Sequence, residues 1–102
     1  MQICDHCFND EEMQIAVRNE SRQVGKCDAC GQISHIIEAE FFQDFFEEVL
    51  SFFMPDENGI DVTHFIQQDW NMFLDFEVGK NILNYYFNSI HSTTNIFIMM
   101  KQ

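Results

Sequence analysis

Cys4-Asp5-His6-Cys7 and Cys27-Asp28-Ala29-Cys30-Gly31 decide how this chain is read. Nineteen residues separate the two CxxC pairs. Two intervening residues make a tight knuckle that presents both sulfurs of a pair to one ion. Backbone amides in such a knuckle point at the thiolates and offset their charge. Gly31 suits the positive-φ position that closes the second knuckle. Four thiolates around a tetrahedral centre suit zinc, with rubredoxin-like iron as the chemical rival. The expected ligands are Cys4, Cys7, Cys27 and Cys30. Four protein ligands leave no position for water, so the ion is expected to be structural, not catalytic. Disulfides are disfavoured because nothing in the sequence indicates export. With four cysteines at hand, His6 and His35 are expected beside the ligands or in solvent.

Outward from the cysteines, the composition changes abruptly. All four cysteines precede residue 31, and eleven of the twelve phenylalanines follow it. The 102 residues fit one domain, read as a zinc-ribbon lobe over 1–35 joined to a helical lobe over 36–102. The expected class is small α+β, mainly helical, with the ribbon packed on about three helices. With 17 acidic and 5 basic side chains the formal charge is −12, of which −9 falls after residue 30. An acidic chain repels phosphate, so direct nucleic-acid binding is not expected, and Arg18, Arg22 and Lys26 are too few to reverse this. No apolar run reaches membrane-spanning length. The start, Met1-Gln2-Ile3-Cys4-Asp5, lacks the basic and apolar regions of a secretory signal, so a cytoplasmic location is expected.

Between the cysteine pairs, Met13, Ile15 and Val17 alternate with polar residues and suggest a strand over 13–18. Asn19-Glu20-Ser21 would turn it, and Val24 would begin the return strand. A helix capped by Asn9, with Glu12 three residues on, is the competing reading. Residues 38–54 read as a central helix, with Phe42, Phe45, Phe46, Val49 and Phe53 at three- and four-residue spacing. Phe41, Leu50 and Phe52 widen the stripe. Pro55 would stop it, and Pro55–Gly59 reads as a turn. Asp61 is expected to cap a helix running to about Leu74, with Val62, Phe65, Ile66, Trp70 and Phe73 inward. A third helix is expected over Glu77 to Ile90, with Val78, Ile82, Tyr85, Tyr86 and Ile90 inward. Ile96 to Met100 could extend as a strand or a helix tail.

No catalytic constellation is found. There is no Gly-x-Ser-x-Gly, no Gly-rich phosphate loop and no His-Glu-x-x-His. His64 and His91 lie on expected helices with no partner for chemistry. The carboxylates Glu38, Glu40, Asp44, Glu47, Glu48, Asp56, Glu57 and Asp61 are most simply a solvated face. Their alternative role is to imitate a phosphate backbone. The Phe-rich stripe is mostly core, but its excess and the apolar end could form a partner or self-association surface.

Cys4-Asp-His-Cys7-Phe8-Asn9-Asp10-Glu11-Glu12, Gly25-Lys-Cys27-Asp-Ala-Cys30-Gly31, Glu40-Phe-Phe-Gln-Asp-Phe-Phe-Glu-Glu48 and Phe65-Ile-Gln-Gln-Asp-Trp70-Asn71-Met-Phe73 together resemble the HEPN/RES N-terminal domain over roughly residues 3–74. The resemblance implies a zinc-binding and helical accessory region that precedes an NAD-consuming toxin domain. It carries over only Cys4, Cys7, Cys27 and Cys30 as metal ligands. This chain is too short to hold that toxin domain, so NAD chemistry does not follow. The Arg…His pair of helical ribonucleases is absent as well. The expected function is a non-enzymatic, zinc-binding protein-interaction or regulatory module of a bacterial or phage toxin or defence system, with a protein partner; the Phe/Met-rich surface also offers a route to homo-oligomers. The alternative is an acidic inhibitor that mimics nucleic acid to block a defence nuclease.

Overall fold

The computed structural model describes residues 1–91 and 98–101 and, within them, the side chains of 1–53 and 61–88. Short strand β1 (Gln2–Cys4) runs into a 3-10 turn over Asp5–Cys7, then helix α1 (Glu11–Glu20), β2 (Gln23–Lys26) and β3 (Ile33–Glu38). The three strands form an antiparallel sheet in the order β1-β3-β2, with Ile3 opposite Ile37 and Gly25 opposite Ser34. Because β3 runs through residues 35 and 36, the cysteine region and the region after it share a strand.

Residues 13–18, expected as a strand, are helical. Met13 and Val17 stand four apart and are buried together, while Ile15 between them is 43% exposed. The alternation was one turn of an amphipathic helix seen at three positions. The cap is Asp10, not Asn9: its side chain accepts the Met13 N–H at 3.0 Å. Asn9 is used elsewhere, as described below.

The helix expected over 38–54 is broken at both ends. Glu38 closes β3, a 3-10 turn covers Ala39–Phe42, and α2 spans only Gln43–Leu50. Buried Phe53 already belongs to β4 (Phe53–Asp61), which pairs antiparallel with β5 (Ile98–Lys101). Backbone pairing with a distant segment overrides helical spacing at this point. The turn expected over 55–59 falls inside β4. Pro55 and Ile60 both face Met99, so residues 56–59 leave the ladder between them, as a proline without an N–H permits.

Asp61 caps α3 (Val62–Trp70) by accepting the Thr63 N–H at 2.8 Å. The helix stops at Trp70 instead of Leu74. Asn71 takes the left-handed conformation, φ 44°, and the Gln67 side chain then accepts the Phe73 N–H at 2.8 Å. With helix α4 (Phe76–His91), the described residues after 36 hold the three helices expected there, and α1 between the cysteine pairs is a fourth. In α4, Val78, Ile82, Leu83, Tyr86 and Phe87 are buried, Tyr85 is half-buried, and the Ile90 side chain lies outside the described residues. Of the Ile96–Met100 run, Ile98 onward is strand, and residues 96 and 97 lie outside the described residues. No helix among the described residues is long and apolar enough to cross a membrane.

The core is an aromatic column. Phe46 stacks on Tyr86 at 4.3 Å and on Phe73 at 6.2 Å between ring centres, and Phe73 meets Phe8 at 5.8 Å. The Tyr86 hydroxyl donates to the Ala39 carbonyl. Gly79 makes this packing possible, because a Cβ there would sit 2.7 Å from Phe73 Cδ2 and 3.2 Å from Thr63 Cγ2. Gly79→Ala is therefore expected to destabilise the fold by about 1–3 kcal/mol through overpacking, against a helix-propensity gain of about 1 kcal/mol. A urea midpoint equal to or above wild type would refute this.

Candidate metal centre

The four cysteine sulfurs converge although their knuckles come from different elements. β1 and the 3-10 turn supply Cys4 and Cys7; the turn between β2 and β3 supplies Cys27 and Cys30. All four ligand atoms lie within 4.8 Å of one another, and three of the residues are buried. The Cys4–Cys7, Cys4–Cys30 and Cys7–Cys27 sulfur separations are 3.8, 3.4 and 3.3 Å. A tetrahedral ion holding sulfurs at about 2.3 Å sets them about 3.8 Å apart, so the cage is close to the size a metal requires. Disulfide-bonded sulfurs are about 2.0 Å apart, and all four cysteines are free. The set can hold a metal ion.

The second knuckle is built as the spacing implied. The amides of Ala29 and Cys30 donate to Cys27 Sγ at 3.3 and 3.4 Å, and Gly31 closes the turn at φ 78°. Hydrogen bonds from the Cys4 and Cys7 thiols, with these amides, pull the Cys27 pKa down. Cys4 is pushed up to about 12, chiefly by its hydrogen bond with Cys27. Cys7 is also pushed up, first by its hydrogen bonds to Cys27 and Cys4 and then by burial. A cation is what allows all four to ionise together.

Neighbours clamp the knuckles in place. The Gln2 amide donates to the Asp28 carboxylate at 2.7 Å, and the Asp28 amide returns a bond to the Gln2 carbonyl at 2.9 Å. The first knuckle is tied to the segment between α3 and α4. The Leu74 N–H donates to the Cys7 carbonyl at 2.8 Å, the Asn9 N–H to the Met72 carbonyl at 2.8 Å, and Asn9 Nδ2 to the Phe73 carbonyl at 2.6 Å. From α4, Asn81 Nδ2 reaches the Ala29 carbonyl at 3.1 Å.

Among the described residues, neither His6 nor His35 joins the sulfur cluster, and both are exposed. His64 lies over the Phe76 ring instead, 4.6 Å between centres. The His91 side chain lies outside the described residues. Sequence reasoning missed Asp5, a carboxylate only 4% exposed inside the first knuckle. It accepts from Ser34 Oγ at 2.7 Å and pairs with Arg18 at 3.0 Å. Burial alone would raise its pKa, but the Ser34 and Arg18 hydrogen bonds outweigh this and hold it below the usual carboxylate range. Arg18, one of three bases considered for nucleic acid, is thus engaged within the fold. No signal in the sequence singled out Asp5, because its partners are 13 and 29 residues away.

No family model, no curated protein and no solved structure matches this chain. The resemblance over residues 3–74 therefore rests on the motifs quoted for it.

Proposed function

We propose that the chain is a non-catalytic docking module for another protein, stiffened by one structural zinc ion on Cys4, Cys7, Cys27 and Cys30. The ligand chemistry supports a structural ion: four thiolates complete a tetrahedral shell and leave no position for substrate or water. The observation that carries the docking role is an apolar groove of about 290 Å³ lined by Phe45, Glu48, Val49, Phe52, Trp70 and Met72. Phe52 is 52% exposed, Trp70 47% and Phe45 41%. Large aromatic side chains grouped in solvent mark an interaction surface more than a core remnant. A setting in a bacterial or phage toxin or defence system, and a cytoplasmic location, rest on the sequence alone.

The nucleic-acid-mimic reading ranks second. Of its eight carboxylates, Asp61 caps α3 and lies 3.9 Å from Lys80, while Glu38 and Glu40 accept hydrogen bonds from Gln2 and Tyr85. The side chains of Asp56 and Glu57 lie outside the described residues. The two readings separate in a capture experiment from the native host. Phe45→Ser with Phe52→Ser should abolish recovery of the partner, while Glu38→Gln, Glu40→Gln and Glu47→Gln together leave it unchanged. The reverse pattern would replace the docking role with mimicry.

A further inference from the structure

We infer that the occupant of the groove is a basic amphipathic segment of the partner, inserting an apolar side chain between Phe52 and Trp70 while flanking Lys or Arg residues meet Glu48 and Asp44. The inference rests on the reading of the groove as a docking surface and adds the chemistry of what docks. At about 290 Å³ the groove is just below the ~300 Å³ where pockets for drug-sized ligands begin. Five of its six lining residues are apolar or aromatic. That suits an anchor side chain better than a polar small molecule.

The rim decides the charge of the occupant. Among the described residues, Glu48 is the only ionisable one lining the groove, and no basic residue lines it. On α2, Phe45, Glu48 and Val49 share one face, Phe52 follows in the turn just past the helix end, and Asp44 precedes Glu48 by one turn, also exposed. The chain as a whole carries −12. A basic segment is therefore drawn in by the overall field and held by the local pair, whereas an acidic one is repelled by both. The same net charge disfavours a second copy.

Trp70 is the sole tryptophan and reports on the groove directly. The test uses the full, zinc-loaded chain, a synthetic amphipathic helix of Leu and Lys, and the same peptide with Glu replacing every Lys. The Lys peptide should shift Trp70 emission to the blue with saturation, and bind roughly tenfold or more tighter than the Glu peptide. Asp44→Lys with Glu48→Lys should reverse that preference. Glu40→Lys with Glu47→Lys makes the same change in net charge away from the groove and should leave it. Phe52→Ser, at a half-exposed position, should remove the response without loss of fold. If both peptides bind alike, the basic partner is wrong while the docking groove stands. If neither binds and the chain sediments as a concentration-dependent oligomer, a second copy takes the groove and the inference fails. If neither binds and the chain remains monomeric, the inference and the docking role fall together.

Discussion

Cys27→Ser, or a strong chelator applied to the wild-type chain, should collapse the N-terminal third of the molecule. Cys27 is the proposed ligand to which the knuckle amides of Ala29 and Cys30 point, so its loss removes one of the four sulfurs and the acceptor of both amides. Structural zinc in small sites supplies roughly 10–16 kcal/mol of apparent binding energy. Whole domains are stable by only about 5–15 kcal/mol. The sheet that carries the cysteines cannot make up the difference, since β1 has three residues and β2 is open to solvent at most positions. Losing even ~4 kcal/mol would lower the melting temperature by roughly 16–32 °C in a domain of this size. Circular dichroism melts with and without chelator, alongside elemental analysis for zinc, read the effect. Acid should act in the same direction, because four thiolates must regain protons as the ion leaves. A metal-free protein with an unchanged melt would eliminate the metal centre.

Phe73→Ala is expected to be the most damaging substitution outside the cysteines, at about 3–5 kcal/mol. Its ring is fully buried, stacks on Phe46, meets Phe8 from the metal knuckle, and fills the space that Gly79 leaves open. The cavity cannot close readily, because both flanking rings are held by their own partners. If the proposed zinc is bound, the same change should weaken its apparent affinity in competition with a chromophoric chelator, since metal binding and folding would be one equilibrium. Trp70→Ala, three residues earlier but half-exposed, should cost no more than about 1 kcal/mol. Equal losses at the two positions would contradict the placement of Phe73 at the junction.

The clustering of the four cysteines was legible because its determinant is local: two residues between cysteines force a knuckle, and the pairs then need only meet. Val62 and Ile66 of α3 and Val78, Ile82 and Tyr86 of α4 were legible as inward for the same reason, as was the Asp61 cap, but Trp70, expected inward, is 47% exposed because α3 ends there and nothing among the described residues packs over its outer side. Where the reading failed, distant partners decided the outcome. Three apolar residues at 13, 15 and 17 fit a strand or a helix, and only the sheet packed beneath Met13 and Val17 chooses. Phe53 continues the helical spacing of α2 yet pairs with Lys101, forty-eight residues on. The early end of α3 depends on one residue, Asn71, entering the left-handed region, which asparagine accepts more readily than most. The groove was invisible because stripe residues buried by α4 and those left in solvent look alike in sequence.

The bond between Cys7 and Leu74 and the bridge between Phe8 and Phe73 set a schedule for the newborn chain. At the ribosome, about 5–20 residues are added per second, so the segment that seats the first knuckle is synthesised some 3–13 s after it. Both cysteine pairs are complete well before then. During that interval the thiols have each other but not the Met72–Leu74 segment that seats the first knuckle.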